Sequence, residues 1–176
     1  MGEWNGGIKS EAPAVKELRD ALMSAVPLLA AEANKKIGTV RNDGSRHTAG
    51  LAMDIMLDSR DLVEKSIADD IIAALVKVHA QMRWADLIYT DWDNGKPSHF
   101  HIPGMPPFGG PKGMLKKNPT SKKLGEQHEN HIHIDWWSGN STAWPPNAST
   151  TGFKTALIAQ LQQPPQWLAD YMRTVP

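Results

Sequence analysis

Apolar residues recur at helical spacing in three stretches of the chain. Val15, Leu18, Leu22, Val26 and Leu29 form the first series, which runs to about residue 33. Ser10, with Pro13 in the first turn, reads as its start, and Pro27 should kink or divide the helix. The strongest pattern covers 60–82, where Val63, Ile67, Ile71, Ala74, Leu75, Val78 and Met82 make one apolar stripe capped by Asp58 or Ser59. Phe153, Leu157 and Leu161 predict a C-terminal helix. A break follows at Pro164-Pro165, and then a short helix over Trp167–Met172. Between these stretches, 36–41, 51–57, 86–92 and 131–137 read as strands, and the last two could pair.

Residues 93–126 fit neither period. Twelve of these 34 residues are Gly or Pro and six are Lys, so the stretch reads as a long loop. Loops of this length either border a binding cleft or are mobile linkers, and the first is the expectation here.

Composition narrows the class. A chain of 176 residues fits a single domain, 1–176. The 19 basic and 19 acidic residues cancel, which argues against nucleic acid or an anionic membrane as partner. Absence of cysteine excludes thiolate metal sites, disulfides and a cysteine nucleophile, so any metal must be held by His and carboxylate. No apolar run approaches the length of a membrane span, and the first residues carry no visible signal peptide.

The chemistry concentrates in EQHENHIHIDWW, residues 126–137, which holds three of the seven histidines. On a strand, His131 and His133 share one face while Ile132 and Ile134 turn into the core. Alone, such a pair is as compatible with a polar strand face as with a metal. His47 and Asp54 shift the balance. They lie in SRHTAGLAMDIML, residues 45–57, where the turn Thr48-Ala49-Gly50 lets a histidine on the incoming loop meet an aspartate on the outgoing strand. A carboxylate flanked by Met53 and Ile55 is costly to bury unless paired or bound to a cation. Two imidazoles and one carboxylate make a three-ligand zinc shell with an open fourth position.

Ser45, His47, Gly50, Ala52 and Asp54 form S-x-H-x-x-G-x-A-x-D, which resembles the metal motif of the lysostaphin, D-alanyl-D-alanine peptidase and hedgehog-type metallopeptidase group. The resemblance implies an α+β fold, with a small antiparallel sheet core carrying the zinc site, flanking helices and the Gly/Pro-rich loop. It also implies His133 as the third zinc ligand. The carboxypeptidase branch has a catalytic Glu three residues before that ligand, where this chain has Asn130. The spacing of His128, His131 and His133 is instead similar to the penicillin-insensitive murein endopeptidases, which implies His131 as the catalytic base.

The implied activity is zinc-dependent hydrolysis of amide bonds in peptidoglycan stems, by a D,D-endopeptidase acting on crosslinks. The alternatives are a D-alanyl-D-alanine carboxypeptidase and a non-catalytic, zinc-stabilised hedgehog-like binding module. His128 would then lie behind the site or touch substrate, with Glu129 and Glu126 as rival bases. Arg41 or Arg46 could hold a substrate carboxylate or the oxyanion. Trp136, Trp137 and the loop lysines would form the rim, His99 and His101 are further candidates, and His79 reads as incidental. Such a substrate lies in the periplasm or cell wall. Without a visible leader, the expected routes are phage lysis, a secretion system with an immunity protein as partner, or a trimmed leader.

Overall fold

The computed structural model describes residues 10–78, 82, 84–93, 96–103, 114–116, 128, 130–136 and 150–162, with the side chains of 90–93, 96–103, 114–116, 150–154 and 160 outside that description. Three short helices come first among the described residues: α1 (Pro13–Ala25), α2 (Pro27–Ala31) and α3 (Ala33–Lys36). Strands β1 (Ile37–Gly38) and β2 (Ala52–Ile55) lead to α4 (Leu62–Lys77). Then come β3 (Asp86–Asp93), β4 (Lys96–Pro103), β5 (Met114–Lys116), β6 (Ile132–Asp135) and α5 (Thr150–Leu161). The fold is α+β, with one antiparallel sheet in the order β1-β2-β6-β3-β4-β5.

Helix α1 begins at Pro13, three residues after the Ser10 start that the sequence suggests. Proline fits the first helical position because its fixed φ suits the helix and its missing N–H would have had no partner there. Pro27 does divide the helix. It closes α1 at Ala25 and opens α2. Val15, Leu18, Leu22 and Leu29 are all fully buried, as their spacing requires.

Helix α4 is shorter than 60–82 and is capped by neither Asp58 nor Ser59. Asp61 takes that role, its side chain accepting from the N–H groups of Val63 and Glu64. Asp58 is occupied by Arg60, whose backbone N–H and guanidinium both donate to it. The buried stripe accordingly starts one turn later than predicted. Val63 is 69% exposed, whereas Ile71, Ala74, Leu75, Val78 and Met82 are buried. Residues 79–81, including His79, lie outside the described residues, as do 163–176 with the Trp167–Met172 helix.

The central pairing is β2–β6–β3. Ile134 stands opposite both Met53 and Leu87, and Ile132 stands opposite Ile55. These residues form one apolar face against the core of α1, α4 and α5. The other face carries Asp54, His133 and Ile88 in one row and Ala52, Asp135 and Asp86 in the next. The alternation expected for His133 against Ile132 and Ile134 therefore holds, within a strand bounded by Ile132 and Asp135.

Two expectations change. Within the 93–126 stretch, Lys96–Pro103 pairs with β3 and Met114–Lys116 pairs with β4, so part of it extends the sheet. Asp93 ends β3, and the other positions of the stretch lie outside the described residues, with Lys112, Lys117, Lys122 and Lys123 among them. Trp136, expected at a substrate rim, is fully buried, and its indole N–H donates to the Met82 carbonyl at 3.0 Å. An amphipathic ring whose polar atom is satisfied internally belongs to the core. Trp84 does the same beneath α4, donating to the Leu75 carbonyl at 3.1 Å.

Candidate metal centre

Two elements bring the ligands together. The first is the turn that carries His47. Its N–H and C=O groups bond internally, Thr48 to Ser45 at 3.1 Å and Gly50 to the His47 carbonyl at 2.9 Å. Gly50 sits at φ +71°, and a Cβ there would lie 2.1 Å from the Ser10 carbonyl oxygen. Both the left-handed backbone and the close approach require glycine. The Ala12 N–H donates to the Gly50 carbonyl at 2.9 Å, so the segment before α1 holds the turn down. The second element is the β2–β6 ladder, which sets Asp54 directly opposite His133.

His47 and Asp54 are buried, at 1% and 3% exposure. Asp54 Oδ1 lies 2.8 Å from His133 Nδ1 and 3.3 Å from His47 Nε2. One ligand atom from each of the three residues falls within 4.8 Å of the others, close enough to hold a metal ion. His47 Nδ1 stands 2.6 Å from the Thr39 carbonyl oxygen, which assigns the proton to Nδ1 and the lone pair to Nε2. Nε2 is buried and has no hydrogen-bond partner, although it faces a carboxylate. Buried polar atoms are rarely left so, and a cation between Nε2 and Oδ1 would satisfy it. The donor set of two imidazoles and a carboxylate fits zinc or a similar divalent ion.

Electrostatics follow from this crowding. Burial pushes the Asp54 carboxyl up, but the imidazoles of His133, His47 and His131 around it outweigh that and hold the group well below the usual carboxylate range. Arg41 adds an ion pair to Asp54 Oδ2. Burial pulls His133 down. Hydrogen bonds to Asp135 and Asp54 overcome this and push it up to about 9 in the metal-free chain.

The remaining histidines of the segment also converge here. His131 Nε2 lies 3.8 Å from Asp54 Oδ1, while its Nδ1 is 2.8 Å from the Asn130 side-chain oxygen. The His128 ring centroid is 4.7 Å from that of His131 and 5.7 Å from that of His133. His128 adopts φ +56°, a left-handed conformation uncommon outside glycine and concentrated at functional sites. Arg41 and Arg46, considered above for substrate, are engaged by acids: Arg41 by Asp43 and Asp54, Arg46 by Asp135 and Asp86. Glu126, Glu129 and Trp137 lie outside the described residues. His101 occupies the position of β4 opposite Ile88, in the row of Asp54 and His133, and His99 pairs with Thr90; their side chains lie outside the description.

Three contributors escaped the sequence reading. The Thr39 carbonyl is a backbone atom and leaves no trace in residue type. Asn130 was visible only as a departure from a motif. Asp135 could have been found, because it continues the face of His131 and His133 by two further residues. Comparisons with protein-family models, with curated proteins and with solved structures return no match. Among the described residues, no helix is long and apolar enough to cross a membrane.

Proposed function

We propose that this chain is a zinc-dependent peptidoglycan hydrolase that cleaves amide bonds in cell-wall peptide stems, acting as a D,D-endopeptidase on crosslinks. The observation that carries the proposal is a third histidine beside the three-ligand cluster: His131 Nε2 lies 3.8 Å from Asp54 Oδ1. His47, Asp54 and His133 would hold the zinc, which supplies Lewis acidity toward the scissile carbonyl and the attacking water. With its Nδ1–H donated to Asn130, His131 offers the Nε2 lone pair as general base. It takes a proton from the water as oxygen bonds to the carbonyl carbon, then returns it to the amine as the C–N bond breaks. His128 packs beside this base.

The substrate class rests on the two motifs, S-x-H-x-x-G-x-A-x-D at 45–54 and His-x-x-His-x-His at 128–133, and on Asn130 standing where the carboxypeptidase branch has Glu. Delivery as an antibacterial effector or a phage lysin fits a substrate outside the cytoplasm. Incubation with purified peptidoglycan, read by mass spectrometry of the released muropeptides, tests the proposal. Monomers arising from crosslinked dimers support it. Release of terminal D-Ala alone would assign a carboxypeptidase, and intact wall with zinc-replete protein would assign a binding module.

A further inference from the structure

We propose that Asp135 is a positioning residue for the metal site: it selects the nitrogen by which His133 binds the ion, and fastens the His47 turn to the same strand. This rests on the His47–Asp54–His133 cluster holding a metal. Asp135 Oδ2 lies 3.3 Å from His133 Nε2. Its Oδ1 accepts from the Arg46 guanidinium. The side chain is only 9% exposed, so each oxygen meets its donor largely shielded from water.

The consequences for the two imidazoles differ. With the His133 Nε2–H donated to Asp135, the lone pair on Nδ1 points at Asp54 and the ion, and the ring cannot turn over without losing that bond. His47 is reached through its chain neighbour. Arg46 Nη1 also approaches Asp86 Oδ2 at 3.5 Å, and Asp86 stands opposite Asp135 in the β3–β6 register. Arg46 thereby joins the turn that bears one ligand to the strand that bears another. Asp135 itself is fixed by its backbone, whose carbonyl accepts from the Ala85 N–H at 2.7 Å. None of its groups needs to touch substrate.

Asparagine at 135 would keep the shape but offer one carbonyl oxygen to two donors, so either Arg46 or His133 loses its acceptor. The test compares the full wild-type chain with Asp135→Asn and Asp135→Ala. It uses zinc ion as the probe, in competition with a chromophoric chelator. Far-UV circular dichroism of the metal-free proteins confirms the fold. Both variants should bind zinc about 10–100-fold more weakly, the range typical of lost partners behind a metal-bound histidine. Long-range proton–nitrogen NMR of the zinc-loaded proteins should show a protected Nε2–H on His133 in wild type and its loss in Asp135→Ala. If the Ala variant fails to fold, the Asn variant decides. Wild-type zinc affinity in the folded variants, with unchanged His133 signals, overturns the assignment. Hydrolysis is not read out, so a wild type that binds zinc tightly yet releases no muropeptides sinks the hydrolase proposal and leaves this one standing.

Discussion

The two imidazoles of the candidate metal centre are held by different means. His47 is fixed by backbone: its Nδ1–H reaches a main-chain carbonyl, and its turn is closed by main-chain bonds and a glycine that admits no side chain. His133 is fixed by side chains, with Asp135 and Arg46 behind it and two fully buried isoleucines beneath it. The backbone-held arm depends on its turn, which Arg46 also ties to Asp135. The side-chain-held arm exposes its geometry to single substitutions. Such an arrangement predicts that the two arms fail differently.

The largest separation should come from the His131/His133 pair, treated last. Next, Ile134→Ala should cost about 2–5 kcal/mol of stability, as large-to-small changes in a packed core do. Thermal melts with and without metal check this, and a loss well below that range would mean β6 is not seated on the core. Removing metal by chelation should lower the melting temperature of wild type. An ion at 100 times its dissociation constant adds about 2.7 kcal/mol by mass action. An unchanged melt would mean the cluster binds no ion in the folded state.

Gly50→Ala attacks the other arm. The left-handed backbone alone should cost on the order of 1–3 kcal/mol, and the Ser10 clash adds to it. Zinc content should fall with it, because His47 loses its placement. If Gly50→Ala keeps full zinc and wild-type stability, the turn is not what positions His47.

A further effect is the pH dependence of the metal-free chain. His133 is raised from 6.5 to about 9, so its contribution to stability is complete below pH 6.5 and lost as pH rises through about 9. Zinc must displace the same proton, so zinc affinity should rise over that window while metal-free stability falls. His133→Gln should flatten the stability profile there, and an unchanged slope would locate the proton elsewhere.

Much of this was legible from residue types. Asp54 between Met53 and Ile55 announces a carboxylate needing a partner, and the His-x-His alternation survives intact because Ile132 and Ile134 are both fully buried. The sheet beyond β3 was hidden by composition. Gly and Pro dominate 93–126 and read as loop, although Ser98, Phe100 and Ile102 lie within a paired strand. The cap of α4 was misplaced because Asp58, Ser59 and Asp61 are all competent caps. Competition for Asp58 by Arg60 removes one of them, and Asp61 takes the role. Trp136 reads as a rim residue from its type, and only the Met82 carbonyl beneath it shows that its indole N–H is satisfied in the core.

The central claim is that His47, Asp54 and His133 hold the ion while His131 moves the proton. The most direct test measures zinc by elemental analysis and turnover on crosslinked peptidoglycan, in His131→Ala and His133→Ala side by side. His131→Ala should keep one zinc per chain and a nearly unchanged melting temperature, while turnover falls roughly 10²–10⁴-fold. His133→Ala should lose zinc and turnover together. A zinc-free His131→Ala, or a His133→Ala that retains full zinc, would contradict the account.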